Sequence, residues 1–194
     1  MPYISSDEFT STVLKKIASG DTSVFLNTFF RDFDLTEKYR QEEFDPLSLA
    51  CNNGHLDVVN ILLEMPEVVD NAAYNYNHAL RVSAQNGYLD IVKMLLEIPA
   101  VLSDATAMRN YSLFASASSG HINVVNRLLE IPEVLVHARD NCNYALRMAA
   151  ENGHLNVVNR LLEIPAVIAA ASAKDNYALR MAAENGHLNV VNRL

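Results

Sequence analysis

Five glycines stand at a fixed interval of 33 residues: Gly54, Gly87, Gly120, Gly153 and Gly186. Each is followed by a ring and then an aliphatic residue, as His55-Leu56, Tyr88-Leu89, His121-Ile122, His154-Leu155 and His187-Leu188. Each then opens a V-V-N-x-L-L-E run or a close variant, as at residues 58–64 and 124–130. Residues 143–161 recur identically as residues 176–194. A glycine held in phase over five periods means a stack of small units, each burying its apolar face on its neighbours, and excludes a single globular core.

The residues around each glycine are specific as well as periodic. The first copy reads Asp45-Pro46-Leu47-Ser48-Leu49-Ala50-Cys51-Asn52-Asn53-Gly54-His55, and a later one Tyr144-Ala145-Leu146-Arg147-Met148-Ala149-Ala150-Glu151-Asn152-Gly153-His154. This resembles the ankyrin repeat, whose pattern runs roughly T-P-L-H-x-A-A-x-x-G-H-x-x-V-V-x-x-L-L. The resemblance implies an all-α ankyrin-repeat solenoid of helix-turn-helix units that holds a partner protein on its concave face. Residues 44–194 form the repeats, the last of them incomplete, and residues 1–43 form an N-terminal helical cap with its connector.

The cap is a degenerate unit. Ser5 and Glu8 have capping-box spacing, Val13, Leu14 and Ile17 give a helical stripe, and Gly20 is a stop signal 34 residues before Gly54. A second cap helix carries Val24, Phe25, Phe29 and Phe30, and the polar residues 34–43 lead into the first regular repeat. Polar substitution is expected in a terminal unit, because one of its faces has no neighbour.

In each regular repeat a short, small-faced first helix ends at the glycine, which takes positive φ without steric cost. A second helix follows with apolar residues at helical spacing, as Leu89, Val92, Leu95 and Leu96. It stops at Pro66, Pro99, Pro132 or Pro165, where many ankyrin repeats have a glycine and a β-hairpin loop. Proline followed by Glu or Ala and then Val suits the first turn of a new short helix. The expectation is therefore about two helices per repeat, joined by helical or irregular connections.

Composition narrows the function. The net charge of −8 argues against non-specific nucleic-acid binding, which needs basic patches to neutralise phosphates. No apolar run approaches the roughly 20 residues of a membrane span, so membrane insertion is not expected. No basic segment followed by an apolar stretch marks a secretory signal peptide. Cys51 falls where other copies carry Ala84, Ala117, Ala150 and Ala183, and Cys142 lies in a connecting loop. Two such cysteines make no disulfide framework and suit a reducing, cytoplasmic compartment.

Catalytic and cofactor chemistry finds no footing. Equivalent atoms of adjacent units lie roughly 8–10 Å apart, whereas a metal holds its nitrogens at about 2 Å. The column His55, Tyr88, His121, His154 and His187 is therefore read as rings bonded to neighbouring loop backbone. His78 and His137 stand alone. Arg81, Arg147 and Arg180 occupy the place of the family's histidine, with Ser48 and Phe114 in the other copies, and are read as bonding loop carbonyls between repeats. Arg127 with Glu130 and Arg160 with Glu163 form a solvated ladder. No Gly-rich phosphate loop, H-E-x-x-H, C-x-x-C or G-x-S-x-G occurs. No catalytic residue, cofactor or metal is expected.

What varies between copies points to the binding surface. The residues assigned to that surface are Phe44, Tyr74, Asn77, Met108, Asn110, Asp140 and Asn143 on the loops, and Gln85, Ser118 and Glu151 on the first helices. Similar ankyrin proteins bind partners through this strip, so these ten residues are the expected contact set, with Tyr74, Tyr76 and Met108 as apolar anchors. The chain is expected to be a monomeric scaffold for a partner protein. The N-Y-A-L-R-M-A-A-E-N-G-H-L-N-V-V-N-R-L-L-E-I-P style resembles ankyrin arrays in proteins that intracellular bacteria deliver into host cells, which implies a host protein as partner and the host cytoplasm as destination. The alternative is a substrate-recruiting region of a larger enzyme with its catalytic domain beyond Leu194, because the last repeat stops midway through its second helix.

Overall fold

The computed structural model describes residues 13, 15–23 and 45–194. Ser5, Glu8, the second cap helix, the connector and Phe44 lie outside the described residues. Of the cap, residues 15–19 are helical, Val13 and Ile17 are buried, and Gly20 takes the expected positive φ of 75°.

From Asp45 onward each of the first four repeats contains three helices, and the last contains two. The first helices are α1 (Pro46–Asn53), α4 (Tyr74–Asn86), α7 (Ala107–Ser118), α10 (Asp140–Glu151) and α13 (Ala173–Glu184). The second helices are α2 (Leu56–Leu63), α5 (Leu89–Leu95), α8 (Ile122–Leu129), α11 (Leu155–Leu161) and α14 (Leu188–Val191). Between repeats run α3 (Pro66–Asp70), α6 (Pro99–Ser103), α9 (Pro132–Val136) and α12 (Pro165–Ala169). Among the described residues there is no strand. The connections are the helical ones of the two expected kinds, each a single short helix. Each proline sits at the first position of its helix, where its fixed φ is an asset and its missing N–H has no intrahelical partner to lose.

The two layers follow from composition. First helices pack on first helices along the array, second helices on second helices, and each first helix on its own second helix. Leu47, Leu80, Leu113 and Leu146 hold the same register in the first helices and are almost wholly buried. Val58, Val92, Val125 and Val158 bury the second layer against them. Cys51 is buried at the alanine position, and desolvation pushes its thiol up to about 12. It behaves as a small apolar side chain. The apolar core runs without a break from Val13 to Val190, so the array has no separate centre.

At the helix-ending glycine the ring of the following repeat closes the stack. Gly87 has φ 78°, and a Cβ there would stand 2.5 Å from Nδ1 of His121. The glycine is thus required twice, once for its own backbone and once for its neighbour's ring.

Candidate partner-binding surface

The first helices from α4 to α13 begin with a turn of the wrong hand. Asn75, Tyr76 and Asn77 have φ of 50°, 56° and 58°, as do the equivalent triplets Met108-Arg109-Asn110, Asn141-Cys142-Asn143 and Lys174-Asp175-Asn176 within a few degrees. None contains glycine. The left-handed conformation costs roughly 1–2 kcal/mol per residue for a side chain with Cβ. Each turn closes on itself by a backbone bond, as Asn77 N–H to the Ala73 carbonyl at 3.1 Å and Asn143 N–H to that of Arg139 at 2.8 Å. Regular right-handed helix starts only after the third residue.

Side chains hold these turns. In α4, α7 and α10 the asparagine at the third position, the residue type that best tolerates this conformation, points into the next repeat. Asn77 donates through Nδ2 to the Val101 and Asp104 carbonyls, both at 2.8 Å. Asn110 donates to the Val134 carbonyl at 3.0 Å, and Asn143 to that of Val167 at 2.7 Å. From the other side, Arg81 donates Nε to the Tyr76 carbonyl and Nη2 to that of Asn75, at 2.9 and 3.0 Å. Arg147 grips Cys142 and Asn141 in the same way. The arginine forks therefore bond loop carbonyls as expected, but within their own repeat.

The guanidiniums also reach across the stack. Arg81 lies over the Tyr111 ring at 5.3 Å, and Arg147 lies 5.0 Å from both Tyr144 and Tyr177. Where arginine is absent, Phe114 stacks on Tyr144 with centroids 4.3 Å apart and meets Tyr111 edge-on at 5.2 Å. Such contacts contribute about 0.5–1.5 kcal/mol each. The Tyr177 hydroxyl donates to the Glu151 carboxylate at 2.9 Å, which holds the phenol above its ordinary value. At the other end, desolvation raises Asp45 in spite of the bonds it accepts from Ser48 and Leu47. Desolvation and the nearby Arg81 charge lower His78.

The structure corrects three of the expected contact residues. Asn77, Asn110 and Asn143 are buried between repeats, so their side chains tie units together and cannot touch a partner. Gln85 and Met108 are exposed, and Tyr74, Ser118, Asp140 and Glu151 are half-buried. Ser118, Gln85 and Glu151 lend their carbonyls to the next repeat, accepting from His154, His121 and His187 at 3.0 Å each. The histidine column does bond neighbouring backbone, His55 reaching the Ala18 carbonyl at 2.8 Å. A carboxylate oxygen of Asp140 lies 3.2 Å from Nδ1 of His137. Sequence reasoning missed the ring and guanidinium ladder, although Tyr111, Tyr144 and Tyr177 recur at the repeat interval three residues before Phe114, Arg147 and Arg180.

What the turns present to solvent is their first two side chains: Asn75 and Tyr76, Met108 and Arg109, Asn141 and Cys142, Lys174 and Asp175. Tyr76 is 66% exposed and Met108 53%, high values for side chains of this size. Among the described residues no cluster of His, Cys, Asp or Glu could hold a metal ion, and no helix is long and apolar enough to cross a membrane.

Stacked helix pairs joined through glycine-ended first helices define a helical repeat scaffold. The family model for ankyrin repeats (3 copies) matches residues 13–108 and 113–194, so the chain belongs to the ankyrin-repeat family. Among solved structures, an ankyrin repeat family protein from Legionella pneumophila is similar at 23% identity and a TM-score of 0.52, covering 93% of this chain and 67% of that one. That likeness is one of fold. No curated protein sequence matches the chain. Ankyrin repeats are protein–protein interaction scaffolds, and the chain is one in this general sense.

Proposed function

We propose that the chain holds a partner protein on the row of left-handed turns and the adjoining exposed edge of the first helices. One observation carries the reading. Four successive repeats keep a costly backbone conformation, three of them hold it with an asparagine bonded to the next repeat and two with an arginine fork, and each uses it to expose a pair of side chains that no other copy repeats. Strain retained in this way marks a surface built for presentation. Tyr76 and Met108 are its apolar anchors, with Tyr74, Gln85, Ser118, Asp140 and Glu151 around them.

The partner is a host protein and the chain a delivered bacterial effector in the finer form of this proposal. The Ile-Pro repeat style and the fold-level likeness to a Legionella ankyrin protein support it. The test is affinity capture from host-cell lysate with the wild-type chain and with Tyr76→Ala/Met108→Ala. A partner retained by the wild type and lost by the variant supports the surface; equal retention overturns it.

A further inference from the structure

The short inter-repeat helices carry a feature that neither the core nor the turns account for. Each of α6, α9 and α12 buries one valine, Val101, Val134 or Val167, and leaves the next residue in solvent. Those residues are Leu102, Leu135 and Ile168, exposed to 42%, 38% and 53%, and Val136 beside them is exposed to 67%. Val69 holds the same register in α3 and is half-buried. Three aliphatic side chains in one register, a repeat apart, form a stripe along this edge of the array.

The short helices themselves and the residues leading into them carry charge of one sign. Residues 64–70, 97–103, 130–136 and 163–169 contain Glu64, Glu67, Asp70, Glu97, Glu130, Glu133 and Glu163 and no lysine or arginine. From the second helices Arg127 and Arg160 pair with Glu130 and Glu163 at 3.3 and 3.0 Å. His137 approaches Glu133 at 3.5 Å. Glu64, Glu67, Asp70, Glu97 and Glu133 against the exposed Arg139 leave the edge acidic in balance.

Spacing and charge together select an occupant. Adjacent units of a helical stack are roughly 8–10 Å apart, and seven residues of an α-helix rise about 10.5 Å. An amphipathic helix laid along the edge would place apolar residues at i, i+7 and i+14 on Leu102, Leu135 and Ile168, with basic residues beside the glutamates. Anionic bilayers and nucleic acid are repelled by this field, and the same edge of a second copy would set like charges against each other. We infer that the edge formed by α3, α6, α9 and α12 is a docking site for a basic amphipathic helix of a partner protein. The inference stands on these residues alone, separately from the left-handed turns.

The experiment uses a fluorescein-labelled synthetic peptide of about 21 residues, with leucines on one heptad-spaced face flanked by lysines. Fluorescence anisotropy should show saturable binding to the wild-type chain. Leu102→Ser/Leu135→Ser/Ile168→Ser should weaken it about tenfold or more, while Tyr76→Ala/Met108→Ala leaves it unchanged. Glu64→Gln/Glu97→Gln/Glu133→Gln should weaken it too and flatten its salt dependence, and this variant alters exposed carboxylates only. Circular dichroism melts check that each variant is folded; should the serine variant melt early, the glutamine variant and the peptide controls decide. A peptide with the same residues but its leucines scattered round the helix should fail to bind. Equal binding by that scrambled peptide, equal binding to the serine variant when folded, or co-sedimentation of the chain itself with phosphatidylserine vesicles would each overturn the inference.

Discussion

The imidazole of His121 lies so close over Gly87 that a Cβ on the glycine would stand 2.5 Å from Nδ1, while the same ring donates Nε2–H to the Gln85 carbonyl at 3.0 Å. One side chain of a repeat thus reads both the shape and the polarity of the preceding helix end. Gly186 has the same backbone, φ 77°, with nothing within 4 Å of its would-be Cβ. The two positions therefore separate the backbone requirement from the packing requirement. Gly186→Ala should cost only the left-handed penalty, about 1–2 kcal/mol. Gly87→Ala should cost roughly 1–3 kcal/mol more from overlap with the ring. Urea titrations that give equal losses would show that the ring moves aside freely.

Asn143 and Asn176 make the second comparison. Both end a left-handed turn, at φ 62° and 57°, but Asn143 is bonded to the Val167 carbonyl of the following repeat whereas Asn176 is exposed. Replacing either by alanine removes a side chain that tolerates the conformation. Asn143→Ala also removes the donor to the Val167 carbonyl in a buried place, a loss of roughly 1–3 kcal/mol beyond that of Asn176→Ala. The difference between the two variants in chemical denaturation measures the inter-repeat bond.

The contrast between these sites shows what the sequence could and could not reveal. Glycine and proline are local punctuation, and their phase placed the helix ends at Gly87 and the starts at Pro99 without reference to any partner residue. The histidines were legible for the same reason, since equivalent atoms one unit apart cannot share a metal. The left-handed turns were not legible, because their usual signal is glycine and Asn75, Tyr76, Met108 and Arg109 carry none. Their stability comes from Arg81 five and six residues on and from Asn77 reaching 24 residues ahead. Asn77, Asn110, Asn143 and Asn176 recur at the repeat interval among neighbours that vary, and that constancy was the available signal that the asparagines serve the stack while their neighbours face out.

Leu146 and Leu179 occupy one register with 1% and 38% exposure. Leu146 has a packed helix on either side, α7 and α13. Leu146→Ala should cost roughly 2–5 kcal/mol, the ordinary range for a buried leucine. Leu179→Ala should cost well under half of that, because little apolar area leaves contact. Similar losses by thermal or urea unfolding would argue against a linear array in which each unit is stabilised by its neighbours.

His78 gives the array a pH dependence of predictable sign. Desolvation, with Arg81 beside it, lowers its folded value below the ordinary 6.5, while Asp45 works in the opposite direction. The unfolded chain therefore binds a proton first as pH falls. The stability linked to this site is fully present above 6.5 and is lost as pH falls through the folded value. Tyrosine fills the position in the next three repeats, as Tyr111, Tyr144 and Tyr177, so His78→Tyr removes the imidazole and keeps a ring. Between about pH 7.5 and about pH 5.5, His78→Tyr should lose less stability than the wild type. The other histidines are common to both proteins and cancel in the comparison, so parallel curves would show that His78 is not desolvated.

The binding surface has its own separation of roles. Tyr76 and Met108 project from successive turns and contribute nothing to the core, whereas Arg127 and Arg160 lie on second helices and pair with Glu130 and Glu163. Tyr76→Ala/Met108→Ala should leave the melting temperature within a few degrees, since exposed side chains change stability by about 0.5 kcal/mol or less. The same variant should weaken a captured partner by roughly tenfold or more, as expected for apolar anchors at the centre of an interface. Asn143 is kept intact in this test, because its loss would loosen the stack and confound binding with stability. Arg127→Ala/Arg160→Ala should leave binding unchanged while removing exposed ion pairs worth about 0–1 kcal/mol. If surface plasmon resonance shows the arginine variant losing the partner and the turn variant keeping it, the second-helix face is the site and the left-handed turns serve the stack alone.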